Sequence, residues 1–108
     1  MVSMSVVAVI VSHDPGLDRF RLVLDRVSRQ VGHVIIVDND SKTKDMLKKL
    51  CNKTNNCDFV EIDFNSGVAH ALRIGIKHSS KYNPDWLLFL DDDTVLLGNA
   101  IVKSLDLN

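Results

Sequence analysis

The sequence lacks a charge excess of either sign. Its 108 residues contain 13 Lys and Arg and 14 Asp and Glu, giving a formal net charge of -1 and a sequence pI of about 6.4. Proteins that bind nucleic acid or anionic membranes through general electrostatics usually carry a clear basic surplus. The composition therefore gives no electrostatic support for a nucleic-acid partner.

Long apolar runs are also missing. Before the last predicted strand, the longest uncharged apolar run is Val6–Val11, far shorter than the roughly 20 residues that a membrane-spanning helix needs. Met1 is not followed by the basic and then apolar pattern of a secretory signal. We therefore expect a cytoplasmic protein with no transmembrane segment.

Cysteine is scarce as well. Cys51 and Cys57 are the only two cysteines and form no CxxC pair. Reduced thiols are the expected state, in agreement with a cytoplasmic protein, and a disulfide across the short intervening loop stays open as the alternative. No linker, internal repeat or low-complexity segment divides the chain, so we expect one small domain over residues 1–108.

Four segments have the composition of β-strands. Apolar runs without alternation predict strands that are buried on both faces of a sheet, and Ser5–Val11, Val34–Val37 and Trp86–Leu90 have this character. The segment Phe59–Phe64 instead alternates apolar and acidic residues. It is therefore predicted to be an edge strand with one wetter face.

Segments of helical periodicity separate the strands. The first helix is predicted to start at Leu17, with Asp14 as its N-cap. In the second helix Met46, Leu47 and Leu50 are expected to face the core. In the third, one stripe carries Val68, Ala71, Leu72 and Gly75, and the small residues Ala71 and Gly75 should allow close packing on the sheet. Four helical segments are predicted. The first starts at Leu17, the second covers Thr43–Cys51, the third begins at Asn65–Gly67 and the fourth covers Leu96–Leu105.

Strands and helices alternate along the whole chain. This order predicts the α/β class: a three-layer, Rossmann-like, mostly parallel sheet of about four strands with helices on both faces. Ligands bind in such sheets outside the carboxyl ends of the strands. The loops after the predicted strands are therefore the places to look for a site.

Three consecutive carboxylates follow the last predicted strand: Asp91, Asp92 and Asp93. Adjacent carboxylates repel one another, and a divalent cation bound by their oxygens is a common physical reason to keep them together. The alternative is a solvated acidic turn in which Asp92 or Asp93 caps a following helix.

Four motifs at strand ends resemble, in order and spacing, the nucleotide-binding half of the family 2 glycosyltransferases with the GT-A fold, particularly the rhamnosyltransferase-like members. The matching stretches are Val9–Pro15, Ile36–Ser41, Asn65–Gly75 and Asp91–Asp93, the last as the DXD motif of that family. Together they cover most of the chain. The resemblance implies a truncated GT-A domain that binds a nucleotide-diphosphate sugar, either UDP-linked or dTDP-linked.

The resemblance also implies roles for residues after the first two strands. Asp38 would accept a hydrogen bond from the base of the nucleotide, while Ser12 and His13 would line the base and ribose pocket. Asp40 is interpreted as a turn residue. The three histidines outside these motifs are expected to be surface or packing residues: His33, His70 and His78.

For the acidic triplet the resemblance implies metal and nucleotide-sugar binding. Asp91 would contact the ribose or the metal, Asp92 would belong to the same nucleotide-sugar site, and Asp93 would ligate Mn²⁺ or Mg²⁺ that bridges the diphosphate. A hard cation held by one or two carboxylates is suited to neutralising a leaving diphosphate.

The chain departs from the family pattern in three respects. His13 stands where the family commonly has Tyr, and Arg73 where it commonly has Asn, so base stacking and the helix contact are expected to differ. Members of the family continue for about as much chain again, which supplies the acceptor pocket and the general base. No residue here matches that base, so we assign no catalytic residue and expect a homodimer to cover the exposed half-fold surface.

The sequence also allows two other interpretations of its function. Leu88–Leu96 also resembles the haloacid-dehalogenase phosphatase signature, with Asp91 as nucleophile and Asp93 as general acid, but that signature normally lies on the first strand of its domain. The chain could instead be a non-catalytic nucleotide-binding or self-assembling module. Turnover of a nucleotide sugar would separate the transferase from both.

Overall fold

The computed structural model describes residues 5–93, which form four strands and three α-helices in strict alternation. A single turn of 3₁₀ helix, Ser80–Tyr82, precedes the last strand. The elements are β1 (Val6–Ser12), α1 (Leu17–Ser28), β2 (His33–Asn39), α2 (Lys44–Asn52), β3 (Cys57–Ile62), α3 (Val68–Ser79) and β4 (Trp86–Asp91). The helix predicted at Leu96–Leu105 lies outside the described residues.

All four strands are parallel, in the order β3-β2-β1-β4. The chain builds outward from β1 to β3 and then crosses over to place β4 on the other side of β1. This confirms the predicted α/β class, and β3 is an edge strand of the described sheet, as expected. The order reverses between β1 and β4, and such a switch point leaves a crevice at the carboxyl ends of the two strands.

Two hydrophobic cores lie on opposite faces of the sheet. Ile10 of β1 packs in the core that contains Phe20 of α1 and Leu47 of α2. Its neighbour Val9 packs in the other core, with Ala71 of α3. Successive residues of a strand point to opposite faces, so one strand serves both cores and the domain has three layers.

Helix α3 approaches the sheet closely because it has no side chain at Gly75. A Cβ atom placed there would lie 2.5 Å from Cγ1 of Val9 and 3.2 Å from Cγ2 of Val37. Ala71, one turn earlier, is fully buried. The prediction that small residues permit this close packing is confirmed.

Strand β4 is not buried on both faces, contrary to the prediction from its apolar run. Trp86 is 47% exposed and Phe89 is 46% exposed. Among the described residues β4 pairs only with β1 and so lies at an edge of the sheet. An unbroken apolar run indicates that a strand is hydrophobic, but it does not indicate how many strands pair with it. The prediction of burial on both faces was wrong for this reason.

Helix α2 and the ends of α1 and α3 also differ from expectation. Met46 is exposed, because the buried stripe of this short helix runs through Leu47 and Cys51, one turn apart. Val68, in the first turn of α3, is exposed as well. The N-cap of α1 is Gly16, with no side-chain hydrogen bond, and not Asp14.

Cys51 and Cys57 form a disulfide, so the expectation of reduced thiols is wrong. The last turn of α2 and the first residue of β3 lie side by side, with 5.4 Å between the two Cα atoms, a usual separation for a disulfide. The short loop between them begins with a tight turn, in which the Thr54 amide donates a hydrogen bond to the Cys51 carbonyl. Within residues 5–93 no helix is long and apolar enough to cross a bilayer.

Candidate functional site

An open cleft of about 470 Å³ lies at the switch point, at the carboxyl ends of β1 and β4. All four loops that carry the motifs contribute to this end of the molecule, as the sequence predicts. The residues that line the cleft are Val11, His13, Asn39, Asn65, Gly67, Val68, Asp91, Asp92 and Asp93.

The acidic turn is fixed by its neighbours. Asp91 ends β4 and pairs with Val11 of β1. The backbone amide of His13 donates to Oδ2 of Asp92 at 3.0 Å, and Nε of Arg19 donates to the backbone carbonyl of Asp93 at 3.1 Å. These bonds tie the triplet to β1 and α1, while Asp91 and Asp93 are exposed, as a solvated turn would also have them. Its alternative role as a cap concerns a helix outside the described residues.

The turn concentrates negative charge. Burial raises the pKa of Asp92 above its usual range, the neighbouring carboxylates of Asp93 and Asp91 raise it further, and the hydrogen bond from the amide of His13 partly opposes them. Carboxylates this close repel one another, so binding of a positive charge beside them is favoured. A bound cation would supply that charge.

The donor set fits a cation that binds together with a phosphate ligand. Asp91 and Asp93 both line the cleft, but residues 5–93 contain no group of three or more His, Cys, Asp or Glu side chains placed to hold a metal ion. Mg²⁺ is usually held by one or two carboxylates, with water and phosphate oxygens at its other positions. Two cleft carboxylates therefore suffice if a diphosphate supplies further ligands.

His13 lies at the cleft. Its Nδ1 is 2.6 Å from the backbone carbonyl oxygen of Asn39. A carbonyl can only accept, so Nδ1 carries a hydrogen and donates it. The ring is half-exposed, and its Nε2 lies 3.8 Å from Oδ2 of Asp14.

Ser12 and Asp38 are fully buried and do not line the cleft. The Ser12 hydroxyl donates to Oδ1 of Asp38 at 2.8 Å, and the Ser41 amide donates to Oδ2 at 3.1 Å. Both oxygens of the carboxylate thus have partners that fix the loop after β2. Direct contact of Asp38 or Ser12 with a nucleotide stays a prediction.

Asp14 has a role that the sequence did not indicate. Its amide donates to Oγ of Ser41 at 2.8 Å, and its Oδ1 accepts from the amide of Lys42 at 2.6 Å. It therefore joins the β1–α1 loop to the β2–α2 loop. An Asp before Pro is as much a turn signal as a cap signal, and its partners are distant in sequence, so the pattern alone could not separate the two roles.

The comparison with known proteins assigns the chain to a class. Residues 8–106 match the model of Glycosyl transferase family 2. The chain therefore belongs to glycosyl transferase family 2, as the four motifs indicate. The match favours the transferase over the interpretation of Asp91 as a phosphatase nucleophile.

One curated relative is similar over most of the chain. The dTDP-rhamnosyl transferase RfbF of Shigella flexneri is 27% identical over 99 residues, which cover 92% of this chain and 33% of that protein. The chain thus spans about a third of the length of this relative. The match agrees with the rhamnosyltransferase-like character of the motifs.

Proposed function

We propose that the chain forms the donor-binding part of a family 2 glycosyltransferase. The cleft binds a nucleotide-diphosphate sugar, and Asp91 and Asp93 hold Mn²⁺ or Mg²⁺ against its diphosphate. The observation that carries the proposal is the convergence of the acidic turn and His13 at the switch-point cleft. Its volume of about 470 Å³ falls within the ordinary range for small-molecule sites, roughly 300–1,000 Å³.

Each cleft residue has a distinct part in this proposal. Asp91 and Asp93 are the cation ligands, whereas Asp92 accepts from the amide of His13 and so orients the turn. The cation, when bound, neutralises charge on the diphosphate as the bond to the sugar breaks. Nε2 of His13 forms a hydrogen bond with a ribose hydroxyl or with the base.

The nucleotide and the rest of the reaction are also part of the proposal. The relative is named as a dTDP-rhamnosyl transferase, which favours dTDP over UDP here. The glycosyl group is transferred to an acceptor hydroxyl; the acceptor pocket and the general base come from outside the described residues. We further propose that the protein works in the cytoplasm. Disulfides are uncommon there, so the Cys51–Cys57 disulfide does not support this location.

The proposal is tested by nucleotide titration followed through amide chemical shifts. UDP and dTDP are titrated with and without Mn²⁺ into the wild-type protein, Asp93→Ala and Asp25→Ala. Asp25 is an exposed acid near the end of α1 that does not line the cleft, and its ion pair with Arg29 lies at the surface. Asp25→Ala is thus a matched control that changes the net charge equally.

We expect metal-dependent shifts at His13 and Asp91–Asp93 that Asp93→Ala abolishes and Asp25→Ala preserves. Binding that is equally tight without a divalent ion would contradict the metal site alone. A folded protein that shows no shift at millimolar nucleotide would contradict the donor site. A non-catalytic, self-assembling module would then be the better interpretation.

A further inference from the structure

Asn39 connects two of the loops that surround the cleft. It is the last residue of β2 and is only 3% exposed. Its Nδ2 donates to Oδ1 of Asn65 at 3.1 Å, while its Oδ1 accepts from the amide of Ser66 at 3.0 Å. Its backbone carbonyl accepts from Nδ1 of His13 at 2.6 Å. The loop before α3 and the loop after β1 are therefore both attached to this one residue.

The contacts require the amide group of asparagine. One end of the side chain must donate and the other must accept, and a planar amide supplies both where a carboxylate would supply only acceptors. Buried polar groups of this kind are costly when left unpaired. Oδ1 of Asn65 also lies 3.4 Å from the amide of Gly67. Gly67 is the N-cap residue of α3 and has a φ of 85°. The contacts of Asn39 therefore extend to the start of that helix.

We propose that Asn39 is a positioning residue of the donor site. It holds residues 65–67 and the His13 ring in the relative position that a nucleoside diphosphate with its cation needs, without itself taking part in the chemistry. This inference rests on the proposed function of the cleft. Loss of its side chain leaves the loop before α3 without its bond to the sheet, and affinity for the metal-bound nucleotide falls.

A purely structural role for Asn39 is the competing explanation, and the chain offers a matched control for it. The side-chain amide of Asn56 donates to the carbonyls of Ser28, Val31 and Gly32 at 2.9, 3.2 and 3.4 Å. Asn56 precedes β3 and so lies at the amino end of the sheet, opposite the cleft. Asn56→Ala removes a comparable loop-binding amide far from the site.

The first measurement is dTDP affinity in the presence of Mn²⁺, together with the melting temperature of each variant. Asn39→Ala is expected to weaken binding about 10-fold or more, which corresponds to about 1.4 kcal/mol. Asn56→Ala is expected to lower the melting temperature and leave affinity unchanged. Lower stability of Asn39→Ala with wild-type affinity would overturn the proposal.

A double-mutant cycle shows whether Asn39 acts through the loop. Asn65 is exposed, so Asn65→Ala is expected to fold even if Asn39→Ala does not. If Asn39 positions the loop through Asn65, the double variant binds no more weakly than Asn39→Ala alone. Additive losses would mean that the two asparagines act independently, and this result would overturn the positioning of the loop through Asn65.

Hydrogen exchange of the unliganded protein supplies a readout that needs no nucleotide. The amide of Ser66 should exchange at least about 10-fold faster in Asn39→Ala than in the wild type, and at the wild-type rate in Asn56→Ala. An unchanged Ser66 rate would overturn the proposal whether or not nucleotide binds. A wild-type protein with a protected Ser66 amide and no nucleotide affinity would instead overturn the proposed function of the cleft, and the positioning role with it.

Discussion

At the scale of single residues, the densest set of polar contacts lies away from the candidate site. Asp58, in β3, accepts a hydrogen bond from the Tyr82 hydroxyl, and its oxygens lie 2.9 Å from Nε2 of His78 and 3.1 Å from Nζ of Lys81. Nε2 of His33 is 3.0 Å away but off the line of a good hydrogen bond, so this contact is mainly electrostatic. One carboxylate thus connects β2, β3 and the segment after α3.

The contacts of Asp58 determine how its charge affects stability. Burial by itself would raise the pKa of this carboxyl, but the contacts from Tyr82, His33, His78 and Lys81 outweigh it and hold the pKa well below its usual range. A carboxyl whose pKa is lowered by folding stabilises the native state above its unfolded-state pKa. That contribution is lost as the pH falls below about 4, the usual value for Asp.

Asp58→Asn is expected to destabilise the protein by roughly 1–3 kcal/mol at pH 7, because it leaves partly buried donors without their carboxylate. The difference from the wild type should shrink as the pH falls from 5 to 2, because the unfolded wild-type chain then takes up a proton at Asp58 and the native state loses the advantage of its lowered pKa. Urea unfolding across this pH range measures both effects, with Asp25→Asn as the control at an exposed ion pair. A loss that is equal at pH 5 and pH 2 would contradict the electrostatic explanation.

These residue-scale contacts show where sequence patterns stop being informative. His33 and His78 were expected to be surface or packing residues because no motif surrounds them. Their common partner Asp58 lies on another element, more than 15 residues from either of them. Spacing rules describe residues on one helix or strand, so a cluster assembled from β2, β3 and α3 leaves no local signal.

At the scale of the elements, the packing of α3 on the sheet depends on Gly75. We expect Gly75→Ala to destabilise the protein by up to roughly 2 kcal/mol, because the overlap with the buried side chains of Val9 and Val37 costs about 1–3 kcal/mol and the helix preference for Ala returns only about 1 kcal/mol of this. Chemical denaturation measures the change. Gly16→Ala is the control, since a Cβ there meets nothing within 4 Å. It should change stability little, because the loss of a glycine N-cap is offset by the lower entropy of the unfolded chain. Equal effects of the two substitutions would contradict close packing as the cause.

The disulfide joins the end of α2 to β3 and should contribute measurably to stability. Reduction is expected to cost about 2 kcal/mol for a loop this short, on the chain-entropy estimate. Thermal unfolding of the oxidised protein with and without dithiothreitol measures the cost, and the double variant Cys51→Ala/Cys57→Ala should not respond to the reductant. Detection of two free thiols in denatured protein that was prepared under oxidising conditions would contradict the disulfide.

Element positions were largely predictable, because buried strands and amphipathic helices differ in the period of their apolar residues. Helix α1 begins at Leu17 as predicted, and the alternation of apolar and acidic residues correctly placed β3 at an edge. The degree of burial was less predictable. The runs in β1 and β4 look alike, yet only β1 lies between two strands of the described sheet.

At the scale of the whole molecule, the location of the site followed from topology. Parallel strands bring their carboxyl-end loops to one edge, so the convergence of His13 with the acidic triplet could be predicted from the order of the elements. The burial of Ser12 and Asp38 could not be predicted in this way. A motif indicates which residues lie near the candidate site, but it does not indicate whether each one is buried or lines the cleft. Asn39 was overlooked for the related reason that its partners belong to two other loops.

Among residues 5–93 no strand pairs with the outer edge of β4, and this edge predicts self-association. Phe89 and Trp86 leave apolar surface uncovered there, and exposed strand edges pair readily with other chains. We expect sedimentation equilibrium to show a concentration-dependent dimer that Phe89→Lys weakens several-fold. Leu22→Lys, at a similarly exposed apolar position on α1, should leave the dimer intact. A clean monomer at high protein concentration would remove the homodimer from consideration.

The central position of β1 also bears on the order in which the molecule forms. Val7 pairs with His33, whereas Val6 pairs with Trp86, close to the far end of the described chain. Contacts between distant residues form more slowly than local ones, because a larger loop must close before they contribute. During synthesis β1, β2 and β3 are made before the acidic turn at residues 91–93, so the pairs among these three strands can form first. The pairing of β4 with β1, which positions the acidic turn of the proposed donor site, comes later.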